Sequence, residues 1–489
     1  MSPLHHDVQR DAFAVASHFR DDFYECLTRR RDGLFEVTDA LLCADGPVTT
    51  PVDLTLLAEH RRGHGALYAA LNEGRIDAGR LRRTLAPLPQ PQAAGERLVL
   101  TVDVSNWLRP DAECGADRLF CHTFGRGRDQ HLMIPGWPYS FVATLEAGRT
   151  SWCQLLDAVR LGPEDDVAEA TAAQVRRVVE DLIEGGRWRQ GNPDIPIVFD
   201  AGYDVPRMAY LLGGLPVEVL GRLRSDRVMR KPVPRPWICP PQGGRPPKHG
   251  KEFRFAKQET WGKPDQATTQ VTDRYGTAQA MAWDHIHPRL TTRSAWIDHD
   301  GELPLIEGTL IRLQVDHLPS GEHPLPLWLW SSQTGMTGSD VDLRWQAFLR
   351  RFDLEHTFRM IKQTLGWTRP KLRTPEAADR RTWLIITAHT QFRLARPLAE
   401  DLRRPWEKPA EPGRLTPARV RRGCRNPRAH LPCPAGAPKP NRPGPGRPLG
   451  SKSQKPATRY DVGKTVRRPE TIIERDQARP ERWPALRQG

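Results

Sequence analysis

One stretch constrains the fold more than any other: Leu98-Val99-Leu100-Thr101-Val102-Asp103-Val104-Ser105-Asn106-Trp107. A continuous apolar run of about 4–8 residues reads as a strand buried on both faces. This run carries a carboxylate, Asp103, to its end. A buried acid is costly unless something pairs with it. Taken alone, Asp103 reads as a turn cap, exposed as Asp usually is. Two further acids stand in comparable settings. Ile195-Pro196-Ile197-Val198-Phe199-Asp200 is a second apolar run ending in a carboxylate. Glu355 lies on an amphipathic segment with Phe348, Phe352, Phe358 and Ile361.

The order of elements points to an α/β fold. Residues 1–90 read as a helical domain. A Gly turn at Gly63-His64-Gly65 and a basic last segment at Arg80-Leu81-Arg82-Arg83 allow a helix-turn-helix that binds DNA. After the linker Pro87–Pro91, residues 95–227 alternate strands and helices. Strands are predicted at Leu119–Phe124, Tyr139–Leu145 and Val217–Leu223, with helices following Pro163 and at Val205–Leu212. Residues 228–325 read as a β-rich insertion, with short strands at Thr269–Val271, Arg293–Ile297 and Leu310–Val315. A last strand, Leu325–Trp330, then opens residues 326–397, which hold a long helix over Asp340–Leu365 and a final one over Pro375–Leu394. Residues 398–489 are rich in Pro, Gly and Arg and read as a mostly disordered tail.

Charge separates this tail from the body. The chain carries a net +14, and residues 401–489 hold 22 Lys and Arg against 8 Asp and Glu, so the tail accounts for the whole excess. A neutral body with a basic tail implies a polyanionic partner, most simply nucleic acid. There is no run of 18 apolar residues, so no membrane span is expected. The first residues lack the pattern of a secretory signal. Eight cysteines are scattered without a CxxC pair, which suits reduced thiols and a cytoplasmic protein.

Three converging carboxylates repel one another. A hard divalent cation with oxygen ligands, Mg²⁺ or Mn²⁺, relieves that repulsion. Two such ions stabilise both the attacking and the leaving oxygen of a phosphodiester displacement.

The residues around Glu355 resemble a family. DDE transposases of the IS4-like group carry a signature of Tyr, two residues, Arg, three residues, Glu, six residues and Lys. Here Arg351, Glu355 and Lys362 fall on the last three positions, and Phe348 replaces the tyrosine. The runs TVDVSNW and VFDAGYD are similar to the family's first and second catalytic strands, and the chain as a whole resembles the IS701-like transposases of bacterial insertion sequences. The resemblance implies an RNase H-like core in which Asp103, Asp200 and Glu355 are catalytic and bind two Mg²⁺ or Mn²⁺ ions. It also implies double-stranded DNA partners, namely terminal inverted repeats and target DNA, a homodimeric synapse, and a nucleoid-associated location. Cut-and-paste transposition is the implied activity. A nuclease without strand transfer, or a decayed copy that only binds DNA, are the alternatives.

Further DNA contacts are expected at Arg351 and Lys362, whose spacing from Glu355 places them near one helical face. Phe348 at the tyrosine position is grouped with them. Trp296 is the first choice, ahead of Trp261 and Trp283, for an insertion aromatic that stacks on a flipped base, an arrangement implied by related transposases. Arg245 and Arg447 each sit in a Gly-Arg-Pro triplet similar to a minor-groove hook.

Overall fold

A computed structural model describes residues 3–93, 97–124, 131–148, 151–234, 237, 244–245, 247–410, 414–439, 450 and 456–464. The chain opens with helices α1 (Pro3–Glu25), α2 (Arg31–Cys43), α3 (Pro51–Thr55), α4 (His64–Glu73) and α5 (Ala78–Leu85). The short strands β1 (Leu27–Arg29) and β2 (Arg75–Ile76) pair between them. Strands β3 (Leu100–Leu108), β4 (Leu119–Phe124), β5 (His131–Leu145) and β6 (Cys153–Arg160) follow. Helix α6 (Val167–Glu184), β7 (Ile195–Phe199), α7 (Val205–Leu211) and β8 (Val217–Leu223) come next. After β9 (Val228–Arg230) and β10 (Glu252–Arg254) come β11 (Gln266–Thr272), β12 (Gly276–Ile286), β13 (Gly308–Val315) and β14 (Leu327–Ser331). The remaining helices are α8 (Gly338–Arg350), α9 (Phe352–Arg359), α10 (Pro375–Leu394), α11 (Pro417–Gly423) and α12 (Arg425–His430).

A ten-stranded mixed sheet runs through the molecule in the order β11-β12-β13-β14-β8-β7-β3-β5-β4, with β6 also paired to β5. Strand β7 is parallel to β3 and to β8, and the other pairs are antiparallel. The two central apolar runs therefore form neighbouring buried strands. The β3–β7 register sets Thr101 beside Val198 and Val102 beside Phe199. One step further, Asp103 stands beside Asp200, and both face the side of the sheet on which Val198 lies.

That side is covered by α8. Val341, Trp345 and Phe348 pack on Val99, Val198, Leu220, Ile311 and Leu329. A capping box at Thr337 and Asp340 starts the helix, satisfying the free N–H groups of its first turn. Helix α10 is buried on nearly every face. It packs between the N-terminal helices and β6, so the first 90 residues share its core. Of the basic segment at the end of this domain, Arg82 turns inward, 3.7 Å from the buried Asp157 and 3.8 Å from Asp181, whereas Arg80 and Arg83 are exposed.

Three expectations need correction. Strands β11 to β13 of the 228–325 segment extend the core sheet, because β14 pairs with both β13 and β8. Residues Ser294–Trp296 form a 3₁₀ turn where a strand was expected. Part of the tail is folded: Leu415, Val420, Cys424 and Leu431 are buried, and α11 and α12 pack on α2 and α10. The cause is charge pairing within the protein. Arg428 binds Asp39, Arg419 lies 3.1 Å from Asp401, and Arg422 pairs with Glu407. Arg447 falls outside the described residues.

Candidate active site

Each acid is delivered by a different kind of element. Asp103 sits within β3, Asp200 follows the last residue of β7, and Glu355 belongs to the first turn of α9. They converge on one guanidinium. Arg351 Nη1 donates to Asp103 Oδ2 at 2.9 Å. Its Nη2 stands 3.5 Å from Asp200 Oδ1 and 3.3 Å from Glu355 Oε1. Arg351 occupies the junction between α8 and α9. There the chain tightens, with the Arg351 N–H donating to Phe348 O at 3.1 Å and the Leu354 N–H to Arg351 O at 3.0 Å. The long helix expected over Asp340–Leu365 is thus broken at Arg351, and a π turn at Met360–Thr364 alters its pitch again before Lys362 is reached.

Burial grades across the group. The Arg351 side chain is 6% exposed and Asp103 20%, whereas Asp200 and Glu355 are 39% and 48% exposed. Burial pushes the Asp103 carboxyl up to about 6, with the Asp200 and Glu355 charges adding to the rise, against the lowering effect of Arg351 and of the Val104 N–H. That N–H donates to Asp103 Oδ1 at 2.8 Å. Burial also holds Lys362 below the usual lysine range, although Asp103 and Cys121 favour its charged form. The Lys362 Nζ lies 5.7 Å from the centre of the Trp367 ring.

An aromatic floor supports this corner. Phe141, directly opposite Asp103 in the β3–β5 ladder, packs on Phe358 of α9 with ring centres 5.2 Å apart. Trp367 meets Trp107, Tyr139 and Phe141 edge-on at 5.8, 5.5 and 5.3 Å. These residues fix α9 against β3, so the position of Glu355 is set by packing. Sequence reading missed this floor. Its signal was the alternation Trp137, Tyr139, Phe141 along one strand face.

The structure brings together Asp103, Asp200, Glu355 and Arg351, with Lys362 in the electrostatic field of Asp103. Other expected contacts lie elsewhere. Phe348 is 3% exposed in the core under α8, and Trp296 is 8% exposed against Tyr210 and His299. Both are buried in this structure, away from the surface that DNA would meet. Trp283 is buried in a cluster with Phe253, Trp261 and Trp328. Arg245 is exposed. Arg351 is engaged by the acids, so contact between it and a phosphate requires that it first release them.

A family model described as DDE superfamily endonuclease matches residues 22–289. The match covers more than half of the chain and includes Asp103 and Asp200. The protein belongs to the DDE superfamily endonucleases, a family of divalent-metal-dependent DNA nucleases and transposases. No curated protein matches the chain.

Proposed function

We propose that this protein is a cut-and-paste DNA transposase of the IS4-like and IS701-like kind, with an RNase H-like core. The observation that carries the reading is the meeting of Asp103, Asp200 and Glu355 at one guanidinium, from three elements spread over the chain. Three carboxylates at one sheet edge form the all-oxygen donor set that suits Mg²⁺ or Mn²⁺. The Arg351 guanidinium already lies among them, which supports reading the three acids as a place for positive charge. Among the described residues, no group of three His, Cys, Asp or Glu side chains, these acids included, is spaced to hold a metal ion with Arg351 in place. Asp103, Asp200 and Glu355 are the residues that would hold two ions. When bound, the ions supply positive charge at the attacking and leaving oxygens of the phosphodiester.

The chain's own groups do the rest. Packing of α9 on Phe141 holds Glu355 in register with the two aspartates. The Lys362 ammonium, within the electrostatic reach of Asp103, offers a positive charge for a phosphate oxygen. A homodimer that pairs two transposon ends, and residence on the bacterial nucleoid, follow from this reading. Among the described residues no helix is long and apolar enough to cross a membrane.

The test is incubation of the full chain with Mg²⁺ and DNA carrying the inverted repeats that flank its gene. Transposition predicts cleavage at the repeat ends and joining of the new 3′ ends to a second DNA. Cleavage without joining would identify a nuclease, and binding alone a non-catalytic descendant.

A further inference from the structure

We infer that Arg351 is a displaceable internal counter-cation: it holds the three carboxylates together before a divalent ion binds, and it yields its place when one does. This rests on the metal-site reading above. Among the described residues, no other Lys or Arg side chain pairs with Asp103, Asp200 or Glu355. Arg351 and the Lys362 charge felt at Asp103 together fall one short of the three acids, so the site keeps an excess of negative charge when all are ionised. A divalent ion is attracted to that excess more strongly than the guanidinium is.

Release of Arg351 has a defined destination. Its Nε is buried without a hydrogen-bond partner, so the group is held by its two terminal nitrogens alone. The guanidinium carbon lies 5.3 Å from the centre of the Phe352 ring and 5.8 Å from that of Phe348. Phe348 is buried, whereas Phe352 is 46% exposed. An outward swing therefore keeps the cation beside an aromatic face while bringing it to the surface. Asp200 and Glu355 are the more exposed of the three acids, so an incoming ion reaches them from solvent.

The inference makes Arg351 a competitor of the metal, and the test reads metal affinity directly. Mn²⁺ is titrated into the full-length wild type and Arg351→Gln, with free Mn²⁺ followed by electron paramagnetic resonance. Removing a charged hydrogen-bonding competitor is expected to tighten Mn²⁺ binding about tenfold or more. Equal or weaker binding by Arg351→Gln, with the wild type still binding, would overturn the inference and leave the metal site standing. Absence of binding in both folded proteins would overturn the metal site and the inference together. A second measurement uses wild type alone, in case the variant does not fold. The peptide carrying Arg351 should react faster with a dicarbonyl arginine reagent when Mn²⁺ is present, by mass spectrometry. An unchanged or slower reaction would overturn displacement.

Discussion

Arg344 on α8 and Glu218 on β8 form a two-point ion pair inside the protein. Arg344 Nη2 donates to Glu218 Oε2 at 2.6 Å and its Nε to Oε1 at 2.9 Å, with both side chains 3% exposed. Ser331 Oγ donates to the same carboxylate at 2.5 Å. The pair ties the helix that leads to Arg351 and Glu355 to the strand beside β7, across the whole 228–325 segment.

Glu218→Ala leaves the buried Arg344 with Asp340, 3.0 Å away, as its remaining carboxylate partner, a change expected to cost about 3 kcal/mol. Urea unfolding of the variant checks this. The double variant Glu218→Leu with Arg344→Met is expected to recover most of the loss, since a buried pair replaced by apolar groups is close to neutral.

Asp39 anchors the folded part of the tail. It accepts from Arg20 at 2.7 and 3.1 Å and from Arg428 of α12. Asp39→Ala strands two arginines, one of them fully buried, and is expected to lower stability by about 3–5 kcal/mol. Limited proteolysis should then cut within 414–436 faster than in the wild type.

Gly221 sets how closely α7 approaches the sheet. A Cβ there would lie 2.5 Å from Val205 Cγ2 and 3.2 Å from Phe199 O. Gly221→Ala is expected to cost about 1–3 kcal/mol through overpacking. Because Phe199 precedes Asp200, the same variant should weaken Mn²⁺ binding, which titration of the folded variant measures.

His389 gives the stability a defined pH dependence. It is fully buried on α10, with neither ring nitrogen hydrogen-bonded. Burial first, and Arg393 second, hold its pKa down at about 3, against 6.5 for a free histidine. The unfolded chain therefore binds the extra proton between these values, and stability falls as pH drops below 6.5. The slope from this residue approaches about 1.4 kcal/mol per pH unit. His389→Leu should remove that part of the slope in denaturation curves between pH 4 and 7, leaving contributions from His60 and His287, whose pKa values are also depressed by burial.

Elements with one strong local signal were legible in the sequence. The doubly buried strands announced themselves as apolar runs, and β4, β8 and α10 match the expected Leu119–Phe124, Val217–Leu223 and Pro375–Leu394. What depended on distant partners was not legible. Strand β6 gave no clear signal, since Gln154 and Asp157 interrupt its apolar run, yet both are buried there. Strand β12 is built from small residues, Ala278, Ala280 and Ala282, and gains its place by pairing with β11 and β13. The break at Arg351 has no Pro or Gly to signal it. Spacing along an ideal helix put Arg351 near Glu355, and the structure adds Asp103 and Asp200 to its partners, which only the sheet register could supply. The tail read as disordered because its arginines were counted as free charge, while Asp39, Asp401 and Glu407 bind several of them.

The central claim is that three carboxylates form one catalytic centre. The most direct test is cleavage and joining of inverted-repeat DNA in Mg²⁺ by Asp103→Asn, Asp200→Asn and Glu355→Gln, each shown to be folded. The account predicts that every variant still binds DNA and that each loses both cleavage and joining. Wild-type activity in any one of the three would contradict it.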